Sequence, residues 1–144
     1  MDQINNQKKC LYISFKKGDK NSIIWSQEIM TYLLSKGHSL YIGKANENLI
    51  PEGIKYSILK NEDKENINYI ITIGCYGPIL HAINEFDQEK IPPIISFSIV
   101  KIIRGAYVIY HQVQRYKEIL KLFLEESTSE EDYEKRIRLR ISVL

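Results

Sequence analysis

The chain has 144 residues, 44% hydrophobic and 26% charged, with a formal net charge of +2. That length suits one domain with a core of its own, the composition excludes an intrinsically disordered chain, and so small a charge names no partner. The two cysteines, Cys10 and Cys75, each lie inside or against a predicted strand, which argues against a disulfide framework and for a reducing compartment. The first nine residues are polar with no apolar stretch of signal length after them, and no run approaches ~18 apolar residues, so the expected place is the cytoplasm, away from membranes.

In chain order, residues 1–8 read as a flexible leader. The apolar, β-branched run 9–15 reads as a first strand, and Lys16, Lys17, Gly18, Asp19 and Lys20 as a charged turn. From Ser22 onward Trp25, Ile29, Met30, Leu33 and Leu34 recur at helical spacing, with Asn21 or Ser22 as N-cap and Gly37 as the stop. A short strand at 39–42, a loop at 44–53, an edge strand at 54–59 and a solvated charge cluster at 60–66 lead to the central strand 69–73. Then come a glycine turn, a helix over 78–86 with Pro78 in its first position, and a strand over 93–98. Residues 99–110 are apolar without a period. Over 111–125, Val113, Tyr116, Ile119, Leu120 and Phe123 share one face of a helix. An acidic linker, 126–134, precedes a strictly alternating strand, 135–144, with Arg136, Arg138 and Arg140 on one side and Ile137, Leu139, Ile141 and Val143 on the other. Alternating strands and helices of this length predict a single α/β domain over 9–125, Rossmann-like or flavodoxin-like, with a mostly parallel sheet covered by helices on both faces.

The stretch that organises this chain is Tyr69 to Ala82, a strand that stops at Gly74, turns through Gly77 and restarts as a helix. It reads Gly74-Cys75-Tyr76-Gly77-Pro78-Ile79-Leu80-His81-Ala82, and it resembles the Gly-Gly-Asp-Gly-Thr-Leu-Leu-(His/Tyr)-Ala motif of the NAD kinases. Ile91-Pro92-Pro93-Ile94-Ile95-Ser96-Phe97 looks like that family's Pro-Pro-Val-hydrophobic-x-Phe strand, and Arg136-Ile137-Arg138-Leu139 like its Arg-x-Arg-Leu strand. The resemblance spans nearly the whole chain but only the N-terminal domain of a full-length kinase. It implies a nucleotide-phosphate cradle at the glycine turn and an aspartate that helps activate the ribose hydroxyl.

Here Tyr76 stands at the aspartate position, and a phenol with an ordinary pKa near ~10 is a poor base and no metal ligand. Cys75 crowds a turn that needs close backbone approach, and Pro78 removes an N–H from the helix start. The family's next glycine turn corresponds to 99–103, which has no glycine, and its Asn-Glu motif has no counterpart. The turn Gly74, Cys75, Tyr76, Gly77, Pro78 therefore reads as a vestigial cofactor site. No catalytic residue, cofactor or metal is expected, and Gly74 and Gly77 are explained by a tight turn alone. Cys75 and His81 lack the spacing of a nucleophile elbow. His38, His81 and His111 are scattered without a ligand cluster. Lys16, Lys17 and Lys20 read as a solvated turn before they read as a phosphate site.

The expected function is that of a catalytically inactive, NAD-kinase-like binding or interaction module, on a protein or ribonucleoprotein partner such as the ribosome. The alternative is a residual nucleotide-binding enzyme or subunit completed by another chain. The expected contact is the terminal strand, with Arg136, Arg138 and Arg140 offered to phosphates or acidic groups and Ile137, Leu139 and Ile141 needing cover. That cover is this chain's own core, a second copy by strand exchange, or a partner's sheet.

Overall fold

The protein is described by a computed structural model over residues 8–74, 76–99 and 110–125. The leader up to residue 7, Cys75, residues 100–109, the acidic linker 126–134 and the terminal strand 135–144 lie outside the described residues. The elements are β1 (Cys10–Phe15), α1 (Lys20–Ser35), β2 (Ser39–Ile42), β3 (Ser57–Ile58), β4 (Tyr69–Gly74), α2 (Tyr76–Glu85), β5 (Ile94–Ser98), β6 (Tyr110–Gln112) and α3 (Tyr116–Leu124). They build one six-stranded sheet in the order β3-β2-β1-β4-β5-β6, and every pairing is parallel. This is the Rossmann order, distinct from the flavodoxin one.

β1 and β4 lie side by side at the centre and are buried on both faces, which is why they read as unbroken apolar runs. Leu11, Ile13 and Phe15 of β1 join Ile71, Ile73 and Phe97 in the larger core, closed by Ile29, Met30 and Leu33 of α1 and by Tyr116, Ile119, Leu120 and Phe123 of α3. The alternate residues Tyr12 and Ile70 pack on the opposite face against Ala82 and Phe86. Each such side chain contributes ~1.5–3 kcal/mol when fully buried, so the sheet carries a core on each side.

Several boundaries differ from the sequence reading for local reasons. The N-cap of α1 is Asp19, whose carboxylate accepts from the Asn21 N–H at 3.0 Å and the Ser22 hydroxyl at 3.2 Å, so the helix starts before Asn21 and Ser22. Its end is a Schellman turn as expected, with Gly37 at φ +89° and the His38 and Gly37 N–H groups bonded to the carbonyls of Leu33 and Leu34. The edge strand expected over 54–59 shrinks to Ser57–Ile58, two residues paired to the end of β2. The expected loop and charge cluster contain the 3-10 turns Lys44–Leu49 and Asn61–Asn66. Pro78 is the third residue of α2 and not the first, still within the turn that tolerates proline. Residues 110–112 are strand β6, and α3 begins only at Tyr116, after a 3-10 turn over Val113–Arg115. The apolar face expected there is buried nonetheless.

Where α1 turns into β2, the Lys9 N–H donates to His38 Nδ1 at 3.0 Å, and the Ser39 N–H to the Lys9 carbonyl at 2.9 Å. Burial, then the neighbouring Lys9 charge, lowers the His38 pKa. A protonated imidazole cannot accept that bond. Because the folded value lies below the unfolded one, His38 binds its proton more readily in the unfolded chain, and stability falls as pH drops from 7.5 through about 6.5 and below. We expect the urea midpoint to fall over this range and the fall to be shallower in His38→Ala. An identical pH profile in the variant would refute the assignment.

Candidate functional site at the sheet's switch point

β1 is followed by α1 on one face of the sheet, and β4 by α2 on the other. The chain leaves the two central strands in opposite directions, toward β2 from β1 and toward β5 from β4. Their carboxyl ends therefore border a crevice, the usual ligand position in such sheets. A cleft of ≈ 340 Å³ lies there, lined by Phe15 at the end of β1 and Lys16 and Lys17 after it, Ala45 and Asn46 after β2, and Gly77, Pro78 and His81 of α2.

Each wall has a local cause. The first turn of α2 is pinned to β1 by the buried Ser14 hydroxyl, which donates to the Pro78 carbonyl at 2.8 Å. Gly74 ends β4 at φ +133°, and a Cβ there would stand 3.3 Å from Pro78 Cγ, 3.3 Å from Ser22 Oγ and 3.5 Å from Lys16 Cβ. Three segments thus meet at this glycine, and the backbone requires it. Gly77 has a different standing. It is helical and exposed, its φ is not positive, and among the described residues nothing outside its chain neighbours and its own helix backbone lies within 4 Å of where its Cβ would be. The tight turn accounts for Gly74; nothing in the packing accounts for Gly77.

Lys16 and Lys17 are exposed, as a solvated turn requires, and they also form the cleft's basic rim. Lys20 opens α1, away from that lining. His81 faces the cleft with its Nε2 3.7 Å from Glu85 Oε1 one helical turn on. No carboxylate is among the described lining residues. Beneath His81, the Tyr12 hydroxyl reaches Gly43, where a Cβ would come within 2.8 Å of it and 3.4 Å of His81 Nε2. Tyr12 is fully buried and its hydroxyl has no hydrogen-bond partner among the described residues. Among the described residues no three His, Cys, Asp or Glu side chains gather as metal ligands. No helix among them is long and apolar enough to cross a membrane.

Of the sequence-predicted site residues, Gly77 and Pro78 line this cleft, and Gly74 packs against Pro78. Tyr76 opens α2, and its side chain, Cys75, Arg136, Ile137, Arg138, Leu139, Arg140 and Ile141 lie outside the described parts. Sequence reasoning missed Asn46 and Gly43. They sit in a stretch that reads as an ordinary polar loop, and no spacing links them to the glycine turn.

No family model matches the sequence, and no curated protein matches it. A solved structure shares the fold. It is yeast NADH kinase complexed with NADH, with a TM-score of 0.65 and 17% sequence identity. The match covers 81% of this chain and 36% of that one, so the chain spans little more than a third of the yeast protein's length. At this identity the likeness is one of fold, the α/β domain with an NAD-kinase-like chain path.

Proposed function

We propose that this chain is a cytoplasmic, non-catalytic, NAD-kinase-like binding module whose cleft takes a phosphate-bearing ligand. The observation that carries the reading is the cleft itself, at the β1/β4 switch point, with Lys16 and Lys17 on its rim and open space over Gly77. Lysine ammoniums beside the first turn of a helix favour an anion. Glycine in a helix costs ~1 kcal/mol relative to alanine, and an approaching ligand is a reason to keep one. The non-catalytic part rests on Tyr76 at the family's aspartate position and on the described lining, which holds no carboxylate for base or metal work.

Incubated with NAD, ATP and magnesium, the purified protein is expected to form no NADP above a heat-killed control. Calorimetry with inorganic phosphate and with ATP is expected to give saturable binding weaker than micromolar, that is, less than about 8 kcal/mol. The binding weakens about tenfold in the Lys16→Ala/Lys17→Ala variant and with added salt. NADP formation abolished by that variant would overturn the non-catalytic reading. No heat from either ligand at millimolar concentration would overturn the cleft as an anion site.

A second reading is a nucleotide-binding subunit completed by another chain, which starts from the fold shared with yeast NADH kinase. Affinity capture of the endogenous protein separates the two. Recovery of an intact NAD kinase supports the subunit, and recovery of ribosomes or another assembly, lost on deleting residues 134–144, supports the interaction module with its Arg136, Arg138 and Arg140 strand as contact.

A further inference from the structure

Gly43 follows Ile42, the last residue of β2, and caps the 3-10 turn Lys44–Leu49 with φ −78°, a value open to any residue. The backbone therefore does not require glycine there. The space does, because a Cβ would stand 2.8 Å from the Tyr12 hydroxyl, 3.4 Å from His81 Nε2 and 3.9 Å from Glu85 Oε1. Polar atoms from β1 and α2 face one gap at the end of β2.

One of the three is fixed. The Tyr12 ring is 0% exposed and packs with Ala82 and Phe86, and its hydroxyl has no hydrogen-bond partner among the described residues. A buried hydroxyl without a partner is costly, and such groups call for a specific explanation. Glycine at 43 makes room for this hydroxyl, and the described residues then give it nothing to bond. An occupant of the gap that accepts from the hydroxyl accounts for both.

The other two atoms say what occupant. His81 and Glu85 are one helical turn apart and share a face of α2, with Nε2 and Oε1 3.7 Å from each other. That is too long for a hydrogen bond, and close to the ~3.3 Å between two ligands on a tetrahedral zinc ion with bonds of ~2.0–2.1 Å. Imidazole nitrogen and carboxylate oxygen are ligand types of zinc. Both side chains are partly exposed, at 45% and 37%, so they are free to adjust around an ion while Tyr12 stays in place.

We propose that His81 and Glu85 bind a divalent ion of the zinc class beside Gly43, with the Tyr12 hydroxyl donating to a water on that ion. The ion staples α2 to the ends of β1 and β2. This site stands apart from the anion reading, whose lysines take no part in it. The sequence reading expected no metal because it weighed the histidines against one another, and no spacing places Tyr12 or Gly43 beside His81.

The test is calorimetric titration of zinc chloride into the chelator-treated full chain, with thermal melts in parallel. Zinc is expected to bind with a Kd of about 1–100 µM, and to raise the melting temperature by about 5 °C or more at a hundredfold excess over Kd. Magnesium, which prefers six oxygen ligands, is expected to do neither. His81→Ala and Glu85→Gln should each weaken zinc binding at least tenfold. Tyr12→Phe is expected to weaken it about tenfold, the usual effect of losing a group that orients a metal's ligands. That variant is expected to melt higher than the unaltered protein when metal-free, so its loss of zinc binding would not reflect a failure to fold. No response to zinc would leave the hydroxyl to a water molecule and overturn the site. Zinc affinity within twofold of the unaltered protein in Tyr12→Phe, or magnesium binding as tight as zinc, would also overturn it. So would a thiolate charge-transfer band with cobalt as the probe, which would place the ion on Cys10 or Cys75.

Discussion

Gly74→Ala is expected to destabilise the protein by about 2–4 kcal/mol, a large part of the total stability of a domain this size. Two effects add. At φ +133° the backbone adopts a conformation that an L residue enters only under strain. The new methyl would also stand 3.3 Å from Pro78 Cγ and Ser22 Oγ, and Pro78 cannot give way freely because its carbonyl is tied to Ser14. The internal comparison is Gly77→Ala in the same turn, where φ is not positive and no other described element comes within 4 Å of the added carbon. That variant is expected to gain up to about 1 kcal/mol from helix propensity while weakening any ligand held over residue 77. Urea unfolding of the two proteins should move their midpoints in opposite directions. A loss below about 1 kcal/mol in Gly74→Ala would mean that the turn relaxes and that glycine is not required there.

Tyr12→Phe is expected to stabilise the protein by about 1–3 kcal/mol. The ring is fully buried and meets Phe86 edge to face, with centroids 5.5 Å apart and planes at 78°. Phenylalanine retains that contact. What it removes is a hydroxyl with no partner, in a place where burial, and then the Glu85 carboxylate, raise the phenol's pKa well above its usual value. Gly43 supplies a second handle, since a Cβ there would stand 2.8 Å from the hydroxyl oxygen. Gly43→Ala alone should cost about 1–3 kcal/mol by overpacking and much less in the Tyr12→Phe background. Thermal melts of the four proteins complete the cycle. A destabilised Tyr12→Phe would show that the hydroxyl is bonded in solution, and additive effects would show that it does not press on residue 43.

How far the sequence could be read depended on whether the determining contacts were local. β1, β4 and β5 were legible because strands buried on both faces must be apolar throughout, and that requirement is written into consecutive residues. The stop of α1 at Gly37 was legible for a similar reason, since a left-handed residue is needed one position past the helix. The start of α1 was misplaced by two or three residues because Asp19, Asn21 and Ser22 are all acceptable caps, and only the bonds made show which one acts. β6 was not seen, Tyr110 being left unassigned and His111 and Gln112 being read as the start of the helix, because three residues are too few to show a period. Their pairing with Ser96, Phe97 and Ser98 of β5 makes them a strand.

By itself, then, the sequence determined the class of fold, a parallel α/β domain, and the chain position of the glycine turn, because periodicity and backbone freedom are properties of neighbouring residues. The order of the strands, the separation of Gly74 from Gly77 in role and the assembly of the cleft were decided by the tertiary structure. Lys16, Lys17, Asn46, Gly77 and His81 come from three segments that share no spacing. They meet because β1, β2 and β4 lie side by side in one sheet and end at the same edge, and strand pairing is a long-range choice made by burial on both faces at once.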